Sequence, residues 1–120
     1  MKVVLIGAGN VATQFAKELY SKSFDIVQVY SRTLASASAL ANEVDAAPIT
    51  DISLAVWDAD LYIFSVKDSV LEELIANLPS NNGLWVHTAG SIPMNIWEGQ
   101  VEKLNGLIFQ YFWKLRMINH

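Results

Sequence analysis

Gly7-Ala8-Gly9-Asn10-Val11-Ala12 is the stretch on which the reading of this chain turns. The run before it, Val3-Val4-Leu5-Ile6, is short and apolar without alternation, as expected of a parallel strand buried on both faces. After it, Val11, Phe15 and Leu19 recur every four residues, with Ala12 and Ala16 beside them, and describe one face of a helix. The stretch therefore fits G-x-G-x-x-A between a strand and a helix, the context in which that pattern carries a mechanism. Gly7 permits the tight turn, Gly9 lets a pyrophosphate approach the backbone, and Ala12 lets the helix pack close to the strand. The N–H groups of Asn10 and Val11, with the helix dipole behind them, favour negative charge. A glycine turn that binds nothing is the plainer alternative.

The second predicted strand, Ile26 to Tyr30, is β-branched and aromatic. Its end sets which dinucleotide is expected. Domains that take NAD place Asp or Glu there to bond the ribose 2′-hydroxyl. This chain reads Tyr30-Ser31-Arg32-Thr33 instead, and Asp25 lies at the opposite end of the strand. A carboxylate would repel a 2′-phosphate, whereas Arg32 can pair with one and stack on the adenine. Ser31 and Thr33 add hydroxyl and backbone donors. The expected cofactor is NADP(H). A surface arginine beside a helix-capping threonine is the alternative, and capping and phosphate binding can coexist at a helix start.

The alternation of strand and helix continues outward. Thr33 caps a helix that runs to about Val44, and a third strand follows near Ala46 to Ile49, where Pro48 indicates a short or edge strand. A short helical piece is expected over Ser53 to Trp57, and a fourth strand over Leu61 to Val66. Asp68 is expected to cap the next helix, whose buried stripe is Val70, Leu71, Leu74, Ile75 and Leu78. After the turn cluster from Pro79 to Gly83 come a fifth strand, Leu84 to Thr88, a short helix from Pro93 through Trp97, and a sixth strand at Leu107 to Phe109. The pattern predicts an α/β, three-layer Rossmann fold with a mainly parallel sheet of order 3-2-1-4-5, the sixth strand beside the fifth.

Ligands of open α/β sheets lie beyond the carboxyl ends of the strands. That rule places Ser65, Val66 and Lys67 beside the adenosine or diphosphate, where Lys67 adds charge or is simply a solvated turn lysine. It places Thr88 and Gly90 beside the nicotinamide half, where Gly90 lets the ring approach the backbone. His87 is the imidazole nearest that place and the candidate for proton transfer during reduction of C=N or C=O. A buried, hydrogen-bonded strand histidine is the plainer reading.

Composition bounds the rest. The chain has 120 residues, 52% of them hydrophobic and 17% charged, which fits one domain with a core of its own and excludes a disordered segment. A net charge of −4 without a basic cluster argues against nucleic acid as a partner. There is no cysteine, so disulfides and thiolate chemistry are excluded, and two histidines are few for a metal site. The apolar run after Met1-Lys2 ends at Gly7, short of a signal peptide. No segment has the length of a membrane span, and the expected location is the cytoplasm.

The GAGNVA stretch, the SRT after the second strand, the SVKD after the fourth and the HTAGS after the fifth together resemble the N-terminal domain of the pyrroline-5-carboxylate reductase-like group. Within it they are most similar to the NADP oxidoreductases that share their fold with deazaflavin-dependent NADP oxidoreductase. The resemblance covers about the first hundred residues. It implies an NADP-binding domain followed by a helical domain that dimerises and completes the substrate pocket. Carried onto this chain, it assigns Gly7, Gly9, Asn10, Val11 and Ala12 to the pyrophosphate and Ser31, Arg32 and Thr33 to the 2′-phosphate. Ser65, Val66, Lys67, Thr88 and Gly90 line the rest of the groove.

The expected division is an NADP-binding domain over residues 1–109 and an aromatic-rich tail over 110–120, where the family's second domain would begin. The expectation is a natural short form, or a truncated or frame-shifted product, with little turnover alone. The tail is either a final strand or helix on the sheet edge or a self-association surface. The functional expectation is hydride transfer between NADP(H) and a small imine or carbonyl substrate. A non-catalytic NADP(H)-sensing or partner-binding module is the alternative. A methyltransferase fits poorly, because Arg32 stands where such enzymes carry an acidic residue.

Overall fold

The computed structural model describes residues 1–88 and 115–117. In chain order the elements are β1 (Lys2–Ile6), α1 (Asn10–Ser21), β2 (Asp25–Tyr30), α2 (Leu34–Glu43), β3 (Ala47–Ile49), a 3-10 turn (Ile52–Leu54), β4 (Leu61–Phe64), α3 (Asp68–Asn77), β5 (Leu84–Thr88) and β6 (Leu115–Met117). They form one sheet in the order β3-β2-β1-β4-β5-β6. The first five strands run parallel. β6 is antiparallel to β5, with His87 opposite Arg116. The Rossmann order 3-2-1-4-5 is thus the one found. The expected helix from Pro93 to Trp97 and strand at Leu107 to Phe109 lie outside the described residues.

β1 is the centre of the sheet, and its side chains show why its run is apolar without alternation. Val3 and Leu5 point into a core shared with Ala12, Phe15, Ala16 and Leu19 of α1 and Leu40 and Ala41 of α2. Val4 and Ile6 point the other way, into a core with Tyr62 and Phe64 of β4, Trp85 of β5, and Leu74 of α3 and its C-cap Leu78. These four side chains, Val3 to Ile6, are fully buried. Each contributes about 1.5–3 kcal/mol of burial. This rigid layer holds the carboxyl ends of β1, β2 and β4 side by side.

Two expectations about local structure are corrected. The helical piece after β3 is a three-residue 3-10 turn at Ile52–Leu54 rather than a helix over Ser53 to Trp57. Asp51 starts it, accepting from the Ser53 N–H at 3.0 Å and the Ser53 hydroxyl at 2.7 Å. Gln28, buried in β2, then holds the crossover extended: its Nε2 donates to the Leu54 carbonyl at 3.1 Å and its Oε1 accepts from the Val56 N–H at 2.8 Å. Backbone groups committed to that side chain are withdrawn from a helix. The second correction is at α3. Asp68 is its first helical residue, and the cap position belongs to Lys67, which makes no side-chain capping bond.

Candidate functional site

A groove of about 1000 Å³ opens at the carboxyl ends of β1, β2 and β4. The β1–α1 turn contributes Gly7, Ala8, Gly9, Asn10 and Ala12, and the β2–α2 turn contributes Tyr30, Ser31 and Arg32. The β4–α3 turn contributes Ser65, Val66 and Lys67, and α3 itself adds Ser69, Val70, Glu73 and Leu74. Three turns far apart in the sequence, at residues 7–9, 30–32 and 65–67, therefore line one cavity.

The two glycines do different work. Gly7 has φ +119°, and a β-carbon there would collide with the Ser65 carbonyl group. Its N–H donates to the Tyr30 carbonyl at 2.8 Å, and the Ser65 N–H donates to the Ile6 carbonyl at 2.8 Å, so β2, β1 and β4 are tied together at the groove floor. Gly9 is in extended backbone that any residue adopts, and a β-carbon on it would meet nothing within 4 Å. Nothing inside the fold calls for glycine there. A side chain at that position would only fill the groove.

Gly9 also occupies the cap position of α1, where no side chain bonds the helix end and no acidic residue sits in the first turn. The leading N–H groups of a helix have no intrahelical partner, and the dipole puts partial positive charge on them. α3 begins at the same groove, again without a side-chain cap. Ala12 is buried in the core beneath, which lets α1 press against β1. Arg32 is exposed at the groove and, among the described residues, makes no ion pair. Lys67 is likewise exposed there without one. Helix ends and cations together favour a polyanionic ligand.

The Ser65 hydroxyl oxygen is buried and has no hydrogen-bond partner, the one such side-chain atom among the described residues. A buried hydroxyl without a partner costs about 1–3 kcal/mol, and the residue that carries it lines the groove. With the open space over Gly9 and the two helix ends that lack a side-chain cap, the residues present fit a phosphate-bearing ligand.

Other expected residues are placed differently. Thr33 does not line the groove; its hydroxyl accepts from the Ser36 N–H at 3.3 Å and caps α2. Asp25 lies at the start of β2, opposite Lys2 and away from the groove. Asn10 lines the groove, whereas the side chain of Val11 lies outside the description. His87 and Thr88 are on β5, next to β4, with His87 opposite Phe64, and their side chains lie outside the description as well. Gly90 lies outside the described residues. Ala8, Tyr30 and the α3 residues Ser69, Val70, Glu73 and Leu74 were not expected. The four-residue spacing of Ser69 and Glu73, and of Val70 and Leu74, is the signal that places two helical columns beside the β4 turn.

Among the described residues no group of three or more His, Cys, Asp or Glu is placed to hold a metal ion. Among them no helix is long and apolar enough to cross a membrane.

The family model of shikimate / quinate 5-dehydrogenase matches residues 1–79. A solved structure titled "putative NADP oxidoreductase BF3122" from Bacteroides fragilis is 54% identical, with a TM-score of 0.72, over 82% of this chain and 39% of that one. Protein TM1727 from Thermotoga maritima shares the fold, with 19% identity and a TM-score of 0.59 over 80% of this chain and 36% of its own. Glutamyl-tRNA reductase from Geobacillus kaustophilus (strain HTA426) is 37% identical over 81 residues, 63% of this chain and 18% of that protein. The chain thus spans well under half the length of these relatives.

Proposed function

The chain belongs to the shikimate / quinate 5-dehydrogenase family, and we propose that it binds NADP(H) in the groove and serves hydride transfer to or from a small imine or carbonyl substrate. The observation that carries this reading is Gly9, a helix cap whose backbone admits any residue and whose missing side chain leaves the groove open at the end of α1. The similar Bacteroides fragilis protein bears the name "putative NADP oxidoreductase BF3122", which agrees with it.

Each residue then has a task. The α1 end at Gly9, Asn10 and Ala12 holds the pyrophosphate through backbone N–H groups. Arg32 and Ser31 hold the 2′-phosphate, for which a guanidinium offers parallel charge-assisted hydrogen bonds. No carboxylate stands in the β2–α2 turn to repel that phosphate or to bond a free 2′-hydroxyl. When bound, the nicotinamide supplies or accepts the hydride, and the protein positions it.

The described groove lies over the β1, β2 and β4 turns, the half expected to take the adenosine diphosphate. The substrate is therefore assigned to residues beyond it, around the end of β5. Titration of the purified chain with NADPH, NADH and S-adenosylmethionine tests the reading. NADPH is expected to bind tightest. Preference for S-adenosylmethionine, or no dinucleotide binding by a folded chain, would reject it.

A further inference from the structure

We infer that Glu73 makes the groove selective for a purine carrying an exocyclic amine, reading the adenine edge of the dinucleotide through its carboxylate. The inference rests on the proposed dinucleotide site and adds to it a residue that neither the G-x-G-x-x-A pattern nor the β2–α2 turn supplies.

Glu73 is the acidic side chain among the described groove residues, whose other charged members are the cations Arg32 and Lys67. Its carboxylate makes no ion pair or hydrogen bond among the described residues; only its backbone carbonyl is engaged, accepting from the Asn77 side chain at 2.8 Å. An unpaired carboxylate disfavours a phosphate ligand unless it meets a part that presents donors.

The surroundings of Glu73 say which part. Val66 precedes α3, and Val70 and Leu74 follow on one column of the helix, all packed on the core beneath β4. They make an apolar shelf on the α3 side of the groove, with Arg32 of the β2–α2 turn in the same cavity. A flat apolar wall with a guanidinium in the same cleft suits a planar base rather than a sugar or phosphate. Glu73 stands one helical turn beyond Ser69 on the adjoining column, at the edge of that shelf. A carboxylate there accepts from the N6 amine of adenine, whereas the oxo group that replaces the amine in hypoxanthine is an acceptor and is repelled.

The experiment compares NADPH with reduced nicotinamide hypoxanthine dinucleotide phosphate, which differs in that ring substituent, by calorimetric titration of the whole chain. The ratio of the two affinities is read, so changes in general phosphate attraction cancel. The unaltered chain is expected to favour NADPH about tenfold, the scale of one hydrogen bond to a charged acceptor. Glu73→Ala should bring the ratio close to one, Glu73→Gln should keep part of it because the amide oxygen still accepts, and Glu73→Lys should reverse it. Glu73 is exposed on α3, so these variants should fold, which circular dichroism verifies. No preference in the unaltered chain, or a preference undiminished in Glu73→Ala, overturns the inference while leaving the dinucleotide site standing. An equal loss for both ligands in Glu73→Ala would put the carboxylate on a ribose hydroxyl and also overturn it. Failure of both ligands to bind rejects the underlying site, and this inference with it.

Discussion

Gly7 and Ser65 pack so closely that a β-carbon on Gly7 would collide with the Ser65 carbonyl group. The contact joins the ends of β1 and β4, and the buried Ser65 hydroxyl belongs to the same residue. Fold and ligand site therefore share one hinge of backbone, and substitutions around it should separate the two.

Gly7→Ala is expected to damage stability. It combines a left-handed φ with a collision against backbone that cannot swing aside. Loss of at least about 2 kcal/mol is expected, read as a lower urea midpoint at unchanged slope.

Gly9→Ser should do the opposite. Serine is at least as good a helix cap as glycine, and a β-carbon there meets no protein atom within 4 Å. Stability should stay within about 0.5 kcal/mol of the parent, while NADPH affinity should fall by more than about tenfold because the hydroxymethyl group stands where the pyrophosphate would lie. Calorimetric titration beside thermal melting separates the two effects; retained affinity would remove Gly9 from the ligand site.

Arg32→Ala tests cofactor preference. Loss of a charge-assisted contact to the 2′-phosphate is expected to cost NADPH about 1.5–3 kcal/mol, with NADH little changed. Equal weakening of both cofactors would leave no basis for NADP(H) preference. The preference should also shrink at high salt, since Arg32 is exposed and screened.

Much of this site is legible in the amino-acid order, because its central parts are local. A glycine pair between an apolar run and a four-residue apolar rhythm can be read without tertiary knowledge, and so can the absence of a carboxylate after Tyr30. The α3 wall is not local in that sense. Val70 and Leu74 read as a buried stripe, and both do pack on the core, while the sequence pattern assigns Glu73 no role; only the placement of α3 in the same cavity as Arg32 puts them in a cleft. The crossover after β3 escapes a local reading because its determinant is remote. Gln28 lies about thirty residues before Val56, and its buried amide holds the segment extended. One nearby signal was present: Asp51 two residues before Ser53 favours a tight turn starting there.

Tyr62 gives a prediction about alkaline pH. Its fully buried hydroxyl donates to the Val56 carbonyl and accepts from the Ala59 N–H at 3.3 Å. Burial pushes its ionisation above the ordinary value of 10.0; the Ala59 hydrogen bond opposes this, and the charges of Asp58 and Asp60 add to it. A group with a raised folded pKa contributes stability that is complete below its unfolded pKa and lost as pH rises through the folded one. The chain should therefore weaken above about pH 10. Tyr62→Phe should lose about 1–3 kcal/mol at neutral pH, from the two stranded backbone groups, and show a flatter alkaline limb in denaturant titrations.

Pro48 stands in the middle of β3, the last strand at one border of the sheet and three residues long. It has no N–H to offer a newcomer, and so short a strand gives little purchase. An incoming chain cannot zip onto this border to extend the sheet into a fibre. The border guards solubility without engaging in the chemistry, and Pro48→Val should reveal this as faster aggregation on heating rather than as altered ligand binding.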